Sequence, residues 1–345
     1  NPSFMKRETR FFERGNWQMP LDTVASDVPS ILNDWDMEWD KNRLGLAKWL
    51  VSDANPLTSR TVVNRIWYQI FGRGIVSTIE DMGTQSEPPT HPALLDWMAV
   101  HFMEDQQWDL KALIKSIVMT ATYQQSSAID EYKYRLDPNN IFYSRGPKLR
   151  LQAEEIRDQA LAVSGLLSPK MGGMGVMPPQ PDGIWEHRYL GNLWKESIGE
   201  DRYRRAIYTY LKRTSPYPSL LTFDAGSREV CLVQRLPTNT PLQALVTLND
   251  PVFLEAAFHL AKSEMTASDI DGAIRSIYYK ATYSEIKSES LEVLRNLYQA
   301  ALIEFTENPE ALEQFLDIKS TTLHHAALTM VANAIMNLDE FLTHA

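Results

Sequence analysis

The chain has 345 residues, 44% of them hydrophobic, which is enough to bury one large core or two smaller ones. Its 44 acidic against 34 basic residues leave a formal net charge of −10. Without a clustered Lys/Arg stripe, that balance argues against nucleic acid as a partner. No apolar run approaches the roughly 20 residues that a membrane span needs, and the single Cys231 excludes an intrachain disulfide or a CxxCH haem attachment within these residues.

In chain order, residues 1–30 read as an extended segment with RGNWQMP as a turn. Asn55 followed by Pro56 predicts a helix start. Val62, Val63, Ile66, Trp67, Ile70 and Phe71 then recur at helical spacing, and Gly72 closes the segment. Thr90 and Pro92 open a second helix, and Asp109 caps a third that carries Leu110, Leu113, Ile114 and Ile117. Residues 150–167 repeat the pattern, with Gly165 as the stop. From 168 to 200 the chain turns to Gly, Pro, Met and Trp, the texture of a long irregular excursion. Residues 201–212 read as helix again, and 214–237 as loop with a short extended piece at Val230 to Val233. Residues 240–264 read as two helices broken at Asn249-Asp250-Pro251. Past about 268 the chain is a run of helices ending in an apolar face of Leu328, Val331, Ala332, Ile335 and Met336. The expected fold is therefore mainly α, a multi-helix orthogonal bundle with long irregular loops and little or no β structure. The expected organisation is an extended segment over 1–30, a main helical domain over 31–265 with the irregular insertion 168–200, and a helical segment over 266–345 packed on it.

The chemistry-bearing candidates concentrate between Thr214 and Asp250. Thr240, Pro241 and Gln243 form a capping-box pattern. The run around it holds Asp224, Arg228, Glu229, Arg235, Asn239 and Asn249. Two readings fit these residues: a hydrogen-bonded network that pins a loop on the helices, or a site. In the second, Asp224, Arg228, Arg235 and Asn239 are the catalytic candidates, with an arginine receiving an anion and Asp224 acting as acid or base. Glu229 and Asn249 would join them in holding a ligand. The loop aromatics Trp185, Tyr189 and Trp194, beside His187 and Arg188, could stack on a sugar or anchor the loop.

Other clusters are weaker. Glu154, Arg157 and Asp158 share one helix face and read as a solvated salt-bridge surface. Arg73 follows a helix end and is placed to bind its carbonyls. No metal site is expected: Glu255 and His259 are four apart and His324-His325 is a pair, but no HExxH occurs. Asp34, Asp36, Glu38 and Asp40 alternate as in a calcium loop without its glycine or final glutamate. MGGMG at 171–175 lacks the preceding strand of a dinucleotide fingerprint.

Several long segments, in order, carry a resemblance: RGNWQMP, NRLGLAKWLVSDANPLTSRTVVNRIWYQIFGRG, MTATYQQSS, LRLQAEEIRDQALAVSGLL, KRTSPYPSLLTFDAGSREVC, TNTPLQALVTLNDPVF and NAIMNLDEF. Together they resemble the family known as domain of unknown function 1553. The resemblance implies the C-terminal part of a longer exported protein of planctomycetes, Verrucomicrobia or Bacteroidetes, and hence a periplasmic or cell-surface setting. It implies no cofactor in this chain, with haem c in a separate cytochrome domain, and it transfers no catalytic residue. The chain begins at Asn1 without an initiator Met, as a piece of such a protein would. The expected partners are neighbouring domains and, through a polysaccharide context, a glycan. Three readings of function follow: an accessory module that binds partners through 168–250, a redox enzyme acting on a carbohydrate or small substrate at 224–250, and a carbohydrate-binding module using the loop tryptophans.

Overall fold

The computed structural model describes residues 8–181, 183, 184, 194–267, 269–315 and 322–344. It is mainly α, with two small two-stranded sheets among the described residues. Its contacts divide the chain into one unit running to Gly146 and a second from Pro147.

In the first unit, β1 (Thr9–Phe12) and β2 (Pro20–Val24) pair antiparallel across the expected turn. Then come α1 (Arg43–Leu50), α2 (Thr58–Phe71), α3 (Pro92–Glu104), α4 (Leu110–Val118) and α5 (Glu131–Leu136). Asn55 acts as the start signal for α2 from three residues upstream, its Oδ1 accepting from the Leu57 and Thr58 amides at 3.0 and 3.2 Å. Gly72 ends the helix at φ +71°, a left-handed position that glycine adopts without strain. Asp109 caps α4 as expected, whereas Thr90 lies two residues before α3, with His91 at the cap position, and donates its hydroxyl to the Ile75 carbonyl. Val63, Trp67 and Phe71 of α2 join Leu95, Met98, Phe102, Leu113 and Ile117 in one buried cluster. Asn64 sits inside the same helix and is buried because it holds both backbone groups of Val76, at 2.9 Å each. Arg73 does not act as a visible helix cap; its Nε is buried without a hydrogen-bond partner.

The second unit contains β3 (Leu149–Arg150), α6 (Ala153–Val163), α7 (Pro218–Thr222), α8 (Pro241–Asn249), α9 (Pro251–Lys262), α10 (Ile270–Thr282), α11 (Ser288–Glu307), α12 (Pro309–Phe315), α13 (Leu323–Met336), α14 (Asp339–Leu342) and β4 (Thr343–His344). The sequence of α13, LHHAALTMVANAIM, has no Asp, Glu, Lys or Arg, and a helix apolar on every side belongs in the interior. It packs on α8, α9, α10, α11 and α14 and is the hub of this unit. Its most extensive partner is α9, where Ala256, Ala257 and Ala261 are completely buried beside Leu260, the alanines being small enough to let two helices approach closely. The polar residues of α13 serve the same packing: Asn333 donates to the Thr247 carbonyl at 2.9 Å, and the His325 ring meets the Phe258 carbonyl at 3.0 Å. Asp250 caps α9 ahead of Pro251, so the expected break between α8 and α9 is present.

Two expectations for local structure are corrected. Residues 201–212 do not form an α-helix but two short 3₁₀ turns, Gly199–Tyr203 and Ala206–Tyr208, each followed by an isolated bridge, Arg204 to Ser168 and Thr209 to Val176. Those backbone groups pair with the 168–176 excursion in place of each other. Val230 to Val233 forms no strand.

Candidate functional site

One face of α6 holds two later stretches of chain, 202–206 and 228–235. Gln152 and Glu155 start this helix with a capping box, and Glu154, Arg157 and Asp158 then project from the same side. Each grips a different stretch of chain. The Arg157 guanidinium donates to the carbonyls of Arg204 and Arg202 at 2.8 and 3.2 Å. Asp158 accepts from the Ala206 amide at 2.6 Å and from Arg205 at 3.1 Å. Glu154 receives both terminal nitrogens of Arg235, at 2.6 and 3.1 Å, in a bidentate pair. The reading of these three residues as a solvated salt-bridge face is therefore corrected: Arg157 is 2% exposed, and the face is covered by chain from 45 to 81 residues away.

Residues 202–204 are held from other sides as well. Glu255 of α9 accepts from Tyr203 at 2.7 Å and from Arg202. Arg204 is as buried as Arg157; it lies 3.8 Å over the Tyr208 ring and donates to the carbonyls of Gly172, Met174 and Lys170. The MGGMG segment thus wraps a guanidinium. Gly172 and Gly173 take φ of +73° and +85° to do so, and a Cβ on Gly173 would sit 3.8 Å from the Arg204 side chain.

Beneath these contacts is a buried ionisable group of three. Burial pushes the Asp250 carboxyl up to about 6 against the pull of the Val252 amide and the Arg157 charge. Tyr217 is pushed up to about 12, first by burial and then by the Asp250 charge, and its hydroxyl donates to the Pro179 carbonyl at 2.5 Å. Burial lowers the Arg157 pKa, offset in part by Tyr217, Asp158 and Asp250. Burial works to raise Glu154, but the Arg235 hydrogen bonds and the charges of Arg235 and Arg228 outweigh it and hold the carboxyl below its ordinary range.

The catalytic candidates divide within this frame. Asp224, at φ +62°, accepts from the Thr238 amide at 2.7 Å and from its hydroxyl. Arg235 is held by Glu154, and Arg228, more exposed, approaches the same carboxylate at 3.8 Å. Asn239 and Glu229 are exposed, and Asn249 is exposed with its amide donated back to Leu245 of its own helix. Arg228 and Arg235 are thus brought together through Glu154, while Asn239, Glu229 and Asn249 are not brought into that cluster. Gln243 departs from the capping box. Its amide nitrogen donates to the Thr222 carbonyl at 3.0 Å and to Thr238, and its oxygen accepts from Arg150 at 2.8 Å. The Thr240 side chain makes no cap bond. With Pro241 fixing the first turn, Gln243 is free to join α7, Asp224 and β3, which leaves it 1% exposed. The sequence reading missed the roles of Arg157, Asp158, Arg204, Tyr217 and Gln243; the only available signal was charged and amide residues interrupting helical patterns.

Of the loop aromatics, Trp185 and Tyr189, with His187 and Arg188, lie outside the described residues. Trp194 donates its indole N–H to the Pro178 carbonyl at 2.8 Å and stacks on Tyr217 with centroids 5.8 Å apart, an anchoring arrangement. His324 meets the Tyr298 hydroxyl at 2.5 Å. Burial lowers the pKa of His259. Among the described residues, no group of three or more His, Cys, Asp or Glu is placed to hold a metal ion, and no helix is long and apolar enough to cross a membrane.

A pocket of about 70 Å³ opens beside this frame, lined by Glu154, Thr209, Tyr217 and Arg228 together with apolar residues of 206–225. The family model described as PSD1, protein of unknown function (DUF1553), matches residues 42–298. The chain belongs to this family. None of the curated proteins and none of the solved structures matches it. The DUF1553 match spans both units and takes in α6, the clamped excursion and α8 through α10.

Proposed function

We propose that this DUF1553 chain is a partner-binding accessory module of a longer, exported, cytochrome-linked protein, and that it docks a neighbouring domain through the outer side of α8. The observation that carries this reading is that α8 is inside out. It buries Gln243 and Thr247, at 1% and 0% exposure, and presents Leu242, Leu245 and Leu248 at 59%, 55% and 37%. The preceding loop adds Val230, Leu232 and Leu236, each more than half exposed. Leucines three apart on one helix face are the pattern by which a helix packs on another surface, and a group of exposed apolar side chains marks an interaction site. The exported and cytochrome-linked setting, and a glycan or redox context for it, rest on the family resemblance.

The polar run 224–250 supports the same reading. Its charged members hold loop to helix: Asp224 on Thr238 and Arg235 on Glu154. The adjoining pocket is well below the roughly 300 Å³ at which small-molecule sites begin.

The expected result for the double substitution Leu242→Glu and Leu245→Glu is a helical spectrum and thermal midpoint close to wild type, because exposed positions tolerate substitution within about 0.5 kcal/mol. Titration calorimetry against the remainder of the parent protein, supplied as a separate polypeptide, should show affinity reduced by about 100-fold or more. Unchanged affinity, or no association of the wild-type chain, would overturn the proposal.

A further inference from the structure

The pocket beside Glu154 differs in chemistry from the rest of this acidic chain. Four side chains that line it, Ile207, Tyr210, Leu211 and Leu221, are also among the large exposed apolar residues, at 66%, 42%, 41% and 53%. They form an apolar rim around a pocket of about 70 Å³, large enough for one aliphatic side chain and too small for a folded ligand.

Charge sets the chemistry of the occupant. Arg213 and Arg228 both line the pocket. Among the described residues Arg213 has no ion pair, while Arg228 has only the 3.8 Å approach to Glu154, whose oxygens are already taken by Arg235. With Glu154 neutralised by Arg235, the lining keeps two guanidinium groups without a full partner, on a chain whose net charge is −10. Thr209 also lines the pocket, and its hydroxyl oxygen is buried without a hydrogen-bond partner. An occupant that satisfies these groups brings an apolar side chain, carboxylates beside it and a backbone polar group for Thr209.

We infer that the pocket receives one aliphatic side chain of a partner peptide segment whose flanking residues are acidic. This deepens the partner-binding reading and rests on it. A carboxylate paired with an arginine gains a charge-assisted hydrogen bond and guides encounter, while the apolar side chain supplies burial.

The test uses the full chain and three fluorescein-labelled decapeptides in a Gly/Ser background, centred on Glu-Leu-Glu, Lys-Leu-Lys or Glu-Ser-Glu, read by fluorescence polarisation at low ionic strength. The Glu-Leu-Glu probe is expected to bind about tenfold or more tighter than either of the others. Its binding should weaken with added salt and fall about tenfold in both Arg213→Ala and Leu221→Ser, exposed positions whose substitution leaves the helical spectrum unchanged. Equal binding of the acidic and basic probes, equal binding of Glu-Leu-Glu and Glu-Ser-Glu, no binding of any probe, or an Arg213→Ala variant that binds like wild type would overturn the inference. If the probes fail while the α8 leucine variant still loses its partner, the pocket assignment falls and the docking module stands. Loss of both sets of results removes the module reading itself.

Discussion

Arg157→Met is expected to destabilise the second unit by about 3 to 5 kcal/mol, since two carbonyls lose a buried, charged donor and a buried carboxyl loses the field of a nearby cation. Methionine retains much of the side-chain volume, so the loss is chiefly electrostatic. The carbonyls of Arg202 and Arg204 lose their donor, and Asp250 loses the cation that offsets its burial. Because Asp250 titrates at about 6, the penalty depends on pH: at about pH 5 the carboxyl is mostly protonated and needs no counter-charge, whereas at about pH 8 it is ionised. Urea denaturation followed by circular dichroism at both pH values measures this. A loss below about 1 kcal/mol, or one that does not grow with pH, would show that Arg157 is not the counter-charge of the buried group.

Asp250→Asn is expected to act in the opposite direction. The native-state pKa lies above the ordinary value of 3.8, so the favourable contribution is that of the protonated form. It is present in full below about pH 4 and is lost as pH rises through about 6. Above that, the native state carries a carboxylate that burial disfavours. Asparagine keeps an oxygen to accept from the Val252 amide, so the cap of α9 survives. Each pKa unit is worth about 1.4 kcal/mol, which makes the variant more stable than wild type by up to about 3 kcal/mol above pH 7 and nearly equal to it at about pH 4. Paired denaturation curves across that window isolate the effect, since the other carboxylates are common to both proteins. A difference that stays flat with pH, or a variant less stable throughout, would refute the assignment.

Much of the fold was legible in the sequence because its signals are local. Asn55 and Gly72 bracket α2, Asp109 starts α4, and Asp250 with Pro251 separates α8 from α9, each through groups within a few residues. The apolar sequence of α13 announces its central place. The organisation of the candidate site was not legible, because the same local rules fix which residues share a face and not what lies against it. Glu154, Arg157 and Asp158 have the spacing of a solvated salt-bridge surface, yet what covers them comes from 202–235. Gln243 stands where a capping box expects it, but its amide is taken by Thr222, Thr238 and Arg150. Residues 201–212 have a helical composition, and their backbone pairs instead with Ser168 and Val176, a competition that no helical window contains. For α8, apolar periodicity marks a helix and is silent on which side faces the core.

Helix α6 is the clamp that holds residues 202–206 and 228–235 in place. Amide hydrogen exchange in a Glu154→Ala, Asp158→Ala variant tests that most directly, since it removes the two outer grips and leaves the buried Arg157. Exchange is expected to quicken by about tenfold or more at Ser168, Val176, Ala206, Tyr210 and Thr238, whose amides are bonded within the clamped segments. Amides in α9 and α13 should change little. Unaltered protection at those five positions, with or without a change in the helices, would contradict the clamp.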